Sequence, residues 1–169
     1  MFSEDLIYIN ESYSSQDDLF NQISKDLLEN EYVYDSYQEA LKQREIKYPT
    51  GLQTEVCGIA IPHTDAMHIK KQAIAVVKLD EGIMFKEMVG DADVSVKLLF
   101  FLLVKEKESQ VQVLSNLMGL FSNKQFVNAL LQSESKIQIL ETINKEMKEW
   151  QYGDIELFSW FRCSSNDAN

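Results

Sequence analysis

The stretch from Val94 to Val104 constrains this chain more than any other. It alternates at first through Val94 and Val96, then runs unbroken and apolar from Leu98 to Val104. Strict alternation is the period of a strand with one covered face, whereas a continuous apolar run of strand length is covered on both faces. The run is far shorter than the roughly 18 apolar residues needed to cross a bilayer. It therefore predicts a central strand, and a central strand requires layers above and below it.

Helices supply those layers. Ser15-Gln16-Asp17-Asp18 has capping-box form and precedes Leu19, Phe20, Ile23, Leu27 and Leu28 at helical spacing, predicting a helix over about 15–29. A second box, Ser36-Tyr37-Gln38-Glu39, opens a helix to about Lys47, with an apolar stripe through Tyr37, Ala40, Leu41 and Tyr48. Pro49-Thr50-Gly51 then makes a turn. Strands follow at about Gly58–Ile61 and Ala73–Leu79, with a short edge strand near Ile83–Phe85 between Gly82 and Gly90. Three helices close the chain, starting near Ser109, after the cap Asn123, and over about Ser135–Glu149. This order predicts one α/β domain over 1–149, a mixed sheet sandwiched by helices, and a tail of unassigned role over 150–169 carrying Trp150, Tyr152, Phe158, Trp160 and Phe161.

Composition narrows the function classes. A formal net charge of −11 disfavours nucleic acid and anionic membrane surfaces, and suits a basic protein partner reached by long-range attraction. No basic region followed by an apolar core opens the chain, so neither a signal peptide nor membrane insertion is expected. Cys57 and Cys163 lie far apart without metal or redox spacing, which fits a reduced, cytoplasmic protein.

Two positions stand out chemically. The strand Gly58-Ile59-Ala60-Ile61 runs into Pro62, which cannot continue a ladder, and the next residue is His63. A side chain at the carboxyl end of a strand is rigidly held and faces the crevice where ligands collect in α/β folds. On the second helix Arg44 falls on the apolar stripe, where it either lines a cavity with a partner or snorkels to a carboxylate at the edge. His63 and His68 lack the glutamate and one-turn spacing of an HExxH zinc helix, and no metal is expected; His68 reads as a solvent-facing loop or helix residue. No GxSxG elbow, thiol–histidine context or phosphate-cradling glycine loop is present, so no nucleotide or other cofactor is expected. That leaves imidazole as the nucleophile. Neutral imidazole attacks through one nitrogen while the other is fixed as a donor, and phosphoryl transfer asks the protein for positioning and positive charge. Arg44, the N–H groups after Pro62 and the helix start near Ser109 and Gln110 offer that charge.

The combination Arg44-Glu45, Pro49-Thr50-Gly51, Gly58-Ile59-Ala60-Ile61-Pro62-His63 and Leu98–Val104 resembles the enzyme IIA domains of the bacterial sugar phosphotransferase system, mannitol/fructose superfamily, over about residues 5 to 145. Tyr48 to Thr64, with Glu55-Val56-Cys57 before the glycine, is most similar to the galactitol-specific branch. The resemblance implies that His63 is phosphorylated, on Nε2, by phospho-HPr, the small histidine phosphocarrier. It further implies delivery to a cysteine of the cognate IIB component, so that galactitol or a related polyol is phosphorylated as the membrane IIC component imports it. Arg44 would hold the phosphoryl oxygens, without metal or nucleotide. A second implication is a regulatory module that signals through its phosphorylation state; a third is an interaction domain that kept only the fold. Two positions depart from the family pattern: Thr64 stands where many members have glycine, and Gln110 where many have a second histidine. Glutamine can donate a hydrogen bond but cannot carry the positive charge, which leaves Thr64 and Gln110 as candidates for the phosphoryl site.

Overall fold

A computed structural model describes residues 1–153. Strands β1 (Ile7–Tyr8), β2 (Gly51–Gln53), β3 (Gly58–Ala60), β4 (Ala73–Lys86) and β5 (Asp93–Leu103) form one sheet in the order β1-β4-β5-β3-β2. The sheet is mixed. β1 runs parallel to β4 and β3 parallel to β5, while β4–β5 and β2–β3 are antiparallel. Helices α1 (Gln16–Glu29) and α2 (Tyr37–Lys47) cover one face; α3 (Lys107–Phe121), α4 (Lys124–Gln132) and α5 (Lys136–Gly153) cover the other. The expected helix-covered mixed sheet is what the chain forms.

β5 is central, and its change of pattern has a structural cause. Gly58 pairs with Val96 and Ile59 with Leu98, so Lys97 is bulged out of the ladder. A bulge places two residues opposite one and reverses which face the following side chains take. Val94 and Val96 accordingly pack with Leu19, Phe20 and Leu41 on the α1/α2 side, whereas Leu98, Phe100 and Leu102 pack with Val113, Val127 and Ile139 on the α3–α5 side. Leu99, Phe101 and Leu103 then take over the α1/α2 face.

Several expectations change. Ile83–Phe85 is the far half of the long strand β4, paired with Val94–Val96, rather than an edge strand. Gly51 begins β2 in place of ending a turn. β1 has only two residues, too few for any periodicity to reveal. Ser15 caps α1 by accepting from the Asp18 N–H as expected, and Asn123 caps α4 by accepting from Gln125 and Phe126. Ser36 does not cap α2; its backbone is already helical and its hydroxyl bonds His68 Nδ1 at 2.8 Å. His68 is therefore half-buried in a short 3-10 turn over Ala66–His68, not a free surface residue. The helix expected to end near Glu149 runs on to Gly153. The rest of the expected tail, with Phe158, Trp160, Phe161 and Cys163, lies outside the described residues.

β3 approaches β5 closely at Gly58, where a Cβ would sit 2.2 Å from the Ser95 carbonyl oxygen and 2.7 Å from Val94 Cγ1. Gly58→Ala is expected to push the strands apart and to lower the unfolding free energy by about 1–3 kcal/mol, the usual range for overpacking. A denaturant melt of the variant, with unchanged slope and a lower midpoint, checks this.

Candidate functional site

β3 ends at Ala60, yet the sheet keeps hold of the chain beyond it. The Leu102 N–H donates to the Pro62 carbonyl at 3.1 Å, and His63 forms a parallel bridge with Leu102. The backbone of His63 is thus fixed against the central strand. The side chain is fixed as well: His63 is only 8% exposed, and Nδ1 lies 2.8 Å from the Ile61 carbonyl oxygen. A carbonyl can only accept, so Nδ1 carries the proton and Nε2 holds the lone pair.

Arg44, in the last turn of α2, faces that lone pair. Its Nη2 lies 3.5 Å from His63 Nε2, its Nη1 donates to the Tyr48 carbonyl at 3.5 Å, and its guanidinium carbon sits 4.4 Å above the Tyr48 ring centre. Of the two arrangements open to Arg44, the structure has it facing His63 and Tyr48: it is half-buried, and among the described residues no ion pair ties it to a carboxylate. The buried stripe of α2 is Tyr37, Leu41 and Glu45; Tyr48, expected on it, is 53% exposed. Glu45 is a residue that pattern reading passes over, because a carboxylate breaks an apolar stripe. Its carboxylate accepts from the Thr50 backbone N–H and hydroxyl.

Gln110, in the first turn of α3, is bonded to the residue after His63: its Nε2 donates to the Thr64 carbonyl at 2.9 Å. Thr64 is buried beside His63. Gln110 therefore ties α3 to the residue after the imidazole. Among the described residues, no cluster of three or more His, Cys, Asp or Glu side chains is placed to hold a metal, and no helix is long and apolar enough to cross a membrane.

Burial pushes the His63 imidazole below its usual value of 6.5; the bond to the Ile61 carbonyl opposes this, the Arg44 charge adds to it, and the Asp65 carboxylate pulls upward. The ring is thus neutral at physiological pH, with a nucleophilic nitrogen beside a guanidinium suited to a dianionic group. The sign for stability follows. A base whose folded value lies below its unfolded one contributes stability that is present above pH 6.5 and is lost as pH falls through the lower folded value. Below pH 6.5 the protein is expected to lose stability more steeply than its His63→Gln variant, and urea melts across that range measure the difference.

A family model described as "Phosphoenolpyruvate-dependent sugar phosphotransferase system, EIIA 2" matches residues 1–146. The galactitol-specific EIIA component of the phosphotransferase system of Escherichia coli K12 is 31% identical over 120 residues, covering 71% of this chain and 80% of that protein. Among solved structures, the IIA component in the complex of mannitol enzymes IIA and phosphorylated IIB from Escherichia coli superposes with a TM-score of 0.70 at 19% identity, covering 86% of this chain and 98% of that one. The nitrogen regulatory protein IIA-Ntr of Neisseria meningitidis superposes with a TM-score of 0.69 at 26% identity, covering 83% and 94%.

Proposed function

The chain belongs to the EIIA type 2 family of the phosphoenolpyruvate-dependent sugar phosphotransferase system, and on that premise we propose that His63 is its phosphoryl carrier. The protein is a phosphotransferase component. In the proposed cycle, the Nε2 lone pair attacks the phosphorus of phospho-HPr. The phosphorus–nitrogen bond of the donor breaks, and its electron pair returns to the donor imidazole. The thiolate of a IIB cysteine then attacks the same phosphorus, and the His63 phosphorus–nitrogen bond breaks in turn. The acceptor polyol is galactitol or a close relative, in keeping with the 31% identical galactitol-specific component, and IIC handles it in the membrane. Arg44 balances charge on the phosphoryl oxygens, and Thr64 and Gln110 complete the wall of the site.

The observation that carries this reading is the fixed tautomer: Nδ1 is committed to Ile61 and Nε2 faces Arg44. Phosphoryl transfer depends mainly on such positioning and charge. The test is incubation with phosphoenolpyruvate, enzyme I and HPr, followed by intact mass. A gain of one phosphoryl group that requires HPr supports the reading; none, with the cascade active on a control IIA, overturns it. The likeness to IIA-Ntr favours a second reading, a regulatory module switched by phosphorylation. Rapid transfer onward to a galactitol-type IIB selects the carrier, and a stable phosphorylated form that no IIB discharges selects the regulator.

A further inference from the structure

Helix α2 ends on two neighbouring charges with opposite surroundings. Arg44 is half-buried at the site, whereas Glu45 is only 5% exposed, on the core side with Tyr37 and Leu41. A carboxylate buried there is costly unless its oxygens are bonded. Both oxygens are bonded, and to one residue: the Thr50 N–H donates to Oε1 at 2.8 Å, and the Thr50 hydroxyl donates to Oε2 at 2.9 Å, with Oε1 at 3.2 Å. Burial pushes the Glu45 carboxyl upward, opposed by the Thr50 bonds and the Arg44 charge.

What lies between Glu45 and Thr50 gives this contact its meaning. The intervening bend carries Tyr48, whose N–H closes the helix onto the Arg44 carbonyl at 2.8 Å. The Tyr48 carbonyl and ring are also the two groups on which the Arg44 guanidinium rests. Pro49 narrows the backbone choices of Tyr48. The far end of the bend enters the sheet at Gly51. Glu45 is thus the tie that closes the bend over residues 45–50, and the bend is the seat of Arg44.

We propose that Glu45 is a positioning residue for Arg44, its buried carboxylate locking Thr50 so that Tyr48 holds the guanidinium against His63 Nε2. This rests on the reading of His63 as the phosphoryl acceptor, but its first test does not need that chemistry. The probe is the imidazole titration of His63, followed by nitrogen-15 NMR in the parent and in Glu45→Leu, Glu45→Gln, Thr50→Val, Arg44→Gln and the double variant Glu45→Leu/Arg44→Gln. Arg44 and Asp65 are the charged groups that act on this ring.

In Glu45→Leu the His63 pKa is expected to rise to the value seen in Arg44→Gln, with the amide spectrum of β4 and β5 unchanged. Glu45→Gln, which keeps an acceptor for the Thr50 N–H, is expected to recover most of the parental value. The double variant should match Arg44→Gln alone, because an arginine that is absent cannot be misplaced. The rate of phosphoryl uptake from phospho-HPr should fall in Glu45→Leu by up to about 100-fold, the cost of a displacement near one ångström. A Glu45→Leu protein that folds and titrates at His63 like the parent overturns the proposal. So do effects of Glu45→Leu and Arg44→Gln that simply add. If Glu45→Leu does not fold, Thr50→Val keeps the backbone N–H, loses the hydroxyl and decides the matter by the same titration. A parent that accepts no phosphoryl group, with the titration shifts still observed, overturns the function and leaves the positioning intact.

Discussion

Replacing His63 with glutamine is expected to abolish phosphoryl uptake while leaving the protein folded. Glutamine is close to histidine in length and keeps a polar amide near the place of the imidazole Nε2, at the cost of the bond that Nδ1 now makes to the Ile61 carbonyl. It offers no nitrogen with a nucleophilic lone pair, so the attack on phosphorus has no substitute. Intact mass after exposure to phosphoenolpyruvate, enzyme I and HPr should show the parent charged and the variant unchanged, with melts confirming a cooperative fold. A variant that still gains one phosphoryl group would place the acceptor elsewhere in the chain.

The second large effect belongs to Arg44. Arg44→Gln removes the guanidinium 3.5 Å from Nε2, and removal of one preorganised donor at a developing oxyanion typically slows a reaction by about 10²–10³-fold. Burial is the main cause of the low His63 pKa, but the same change removes the Coulombic push that Arg44 adds to it, so the imidazole should titrate higher than in the parent. The two consequences have different readouts, single-turnover rate and NMR titration. A rate equal to the parent's, at a pH where both imidazoles are neutral, would take the guanidinium out of the transition state. Arg44→Lys should not rescue fully, because a point charge on a flexible stem cannot reproduce the planar fork that rests on Tyr48.

These residues differ in how visible they are along the chain. His63 is legible because strand, proline and imidazole follow one another without a gap, and local order there is also spatial order. Arg44 is legible as an anomaly, a charge at apolar spacing. Glu45 is not: the buried stripe of α2 keeps Tyr37 and Leu41 but ends on Glu45, where apolar counting looks to Tyr48, and only the bond to Thr50 shows why a carboxylate is tolerated there. The strand β5, the first half of β4 and the helices on both faces follow from periodicity. β1 does not, since two residues carry no period, and its place in the sheet is set by packing against β4. The bulge at Lys97 is equally hidden, because an apolar run looks the same whichever face each residue takes. Ser36 shows the reverse failure: a good local signal for a cap is diverted by a partner, His68, that is distant in sequence.

The Ile61 carbonyl that holds Nδ1 has one more consequence under the proposed carrier role. A ring already pinned at one nitrogen need not turn to be loaded at the other, so the charged and empty forms share a single shape. A phosphoryl group adds about two negative charges, and those charges are then what tells a donor from an acceptor. Such a carrier contains no ratchet. Like a wire between two reservoirs, it passes current in whichever direction the relative abundance and transfer potential of its charged neighbours dictate.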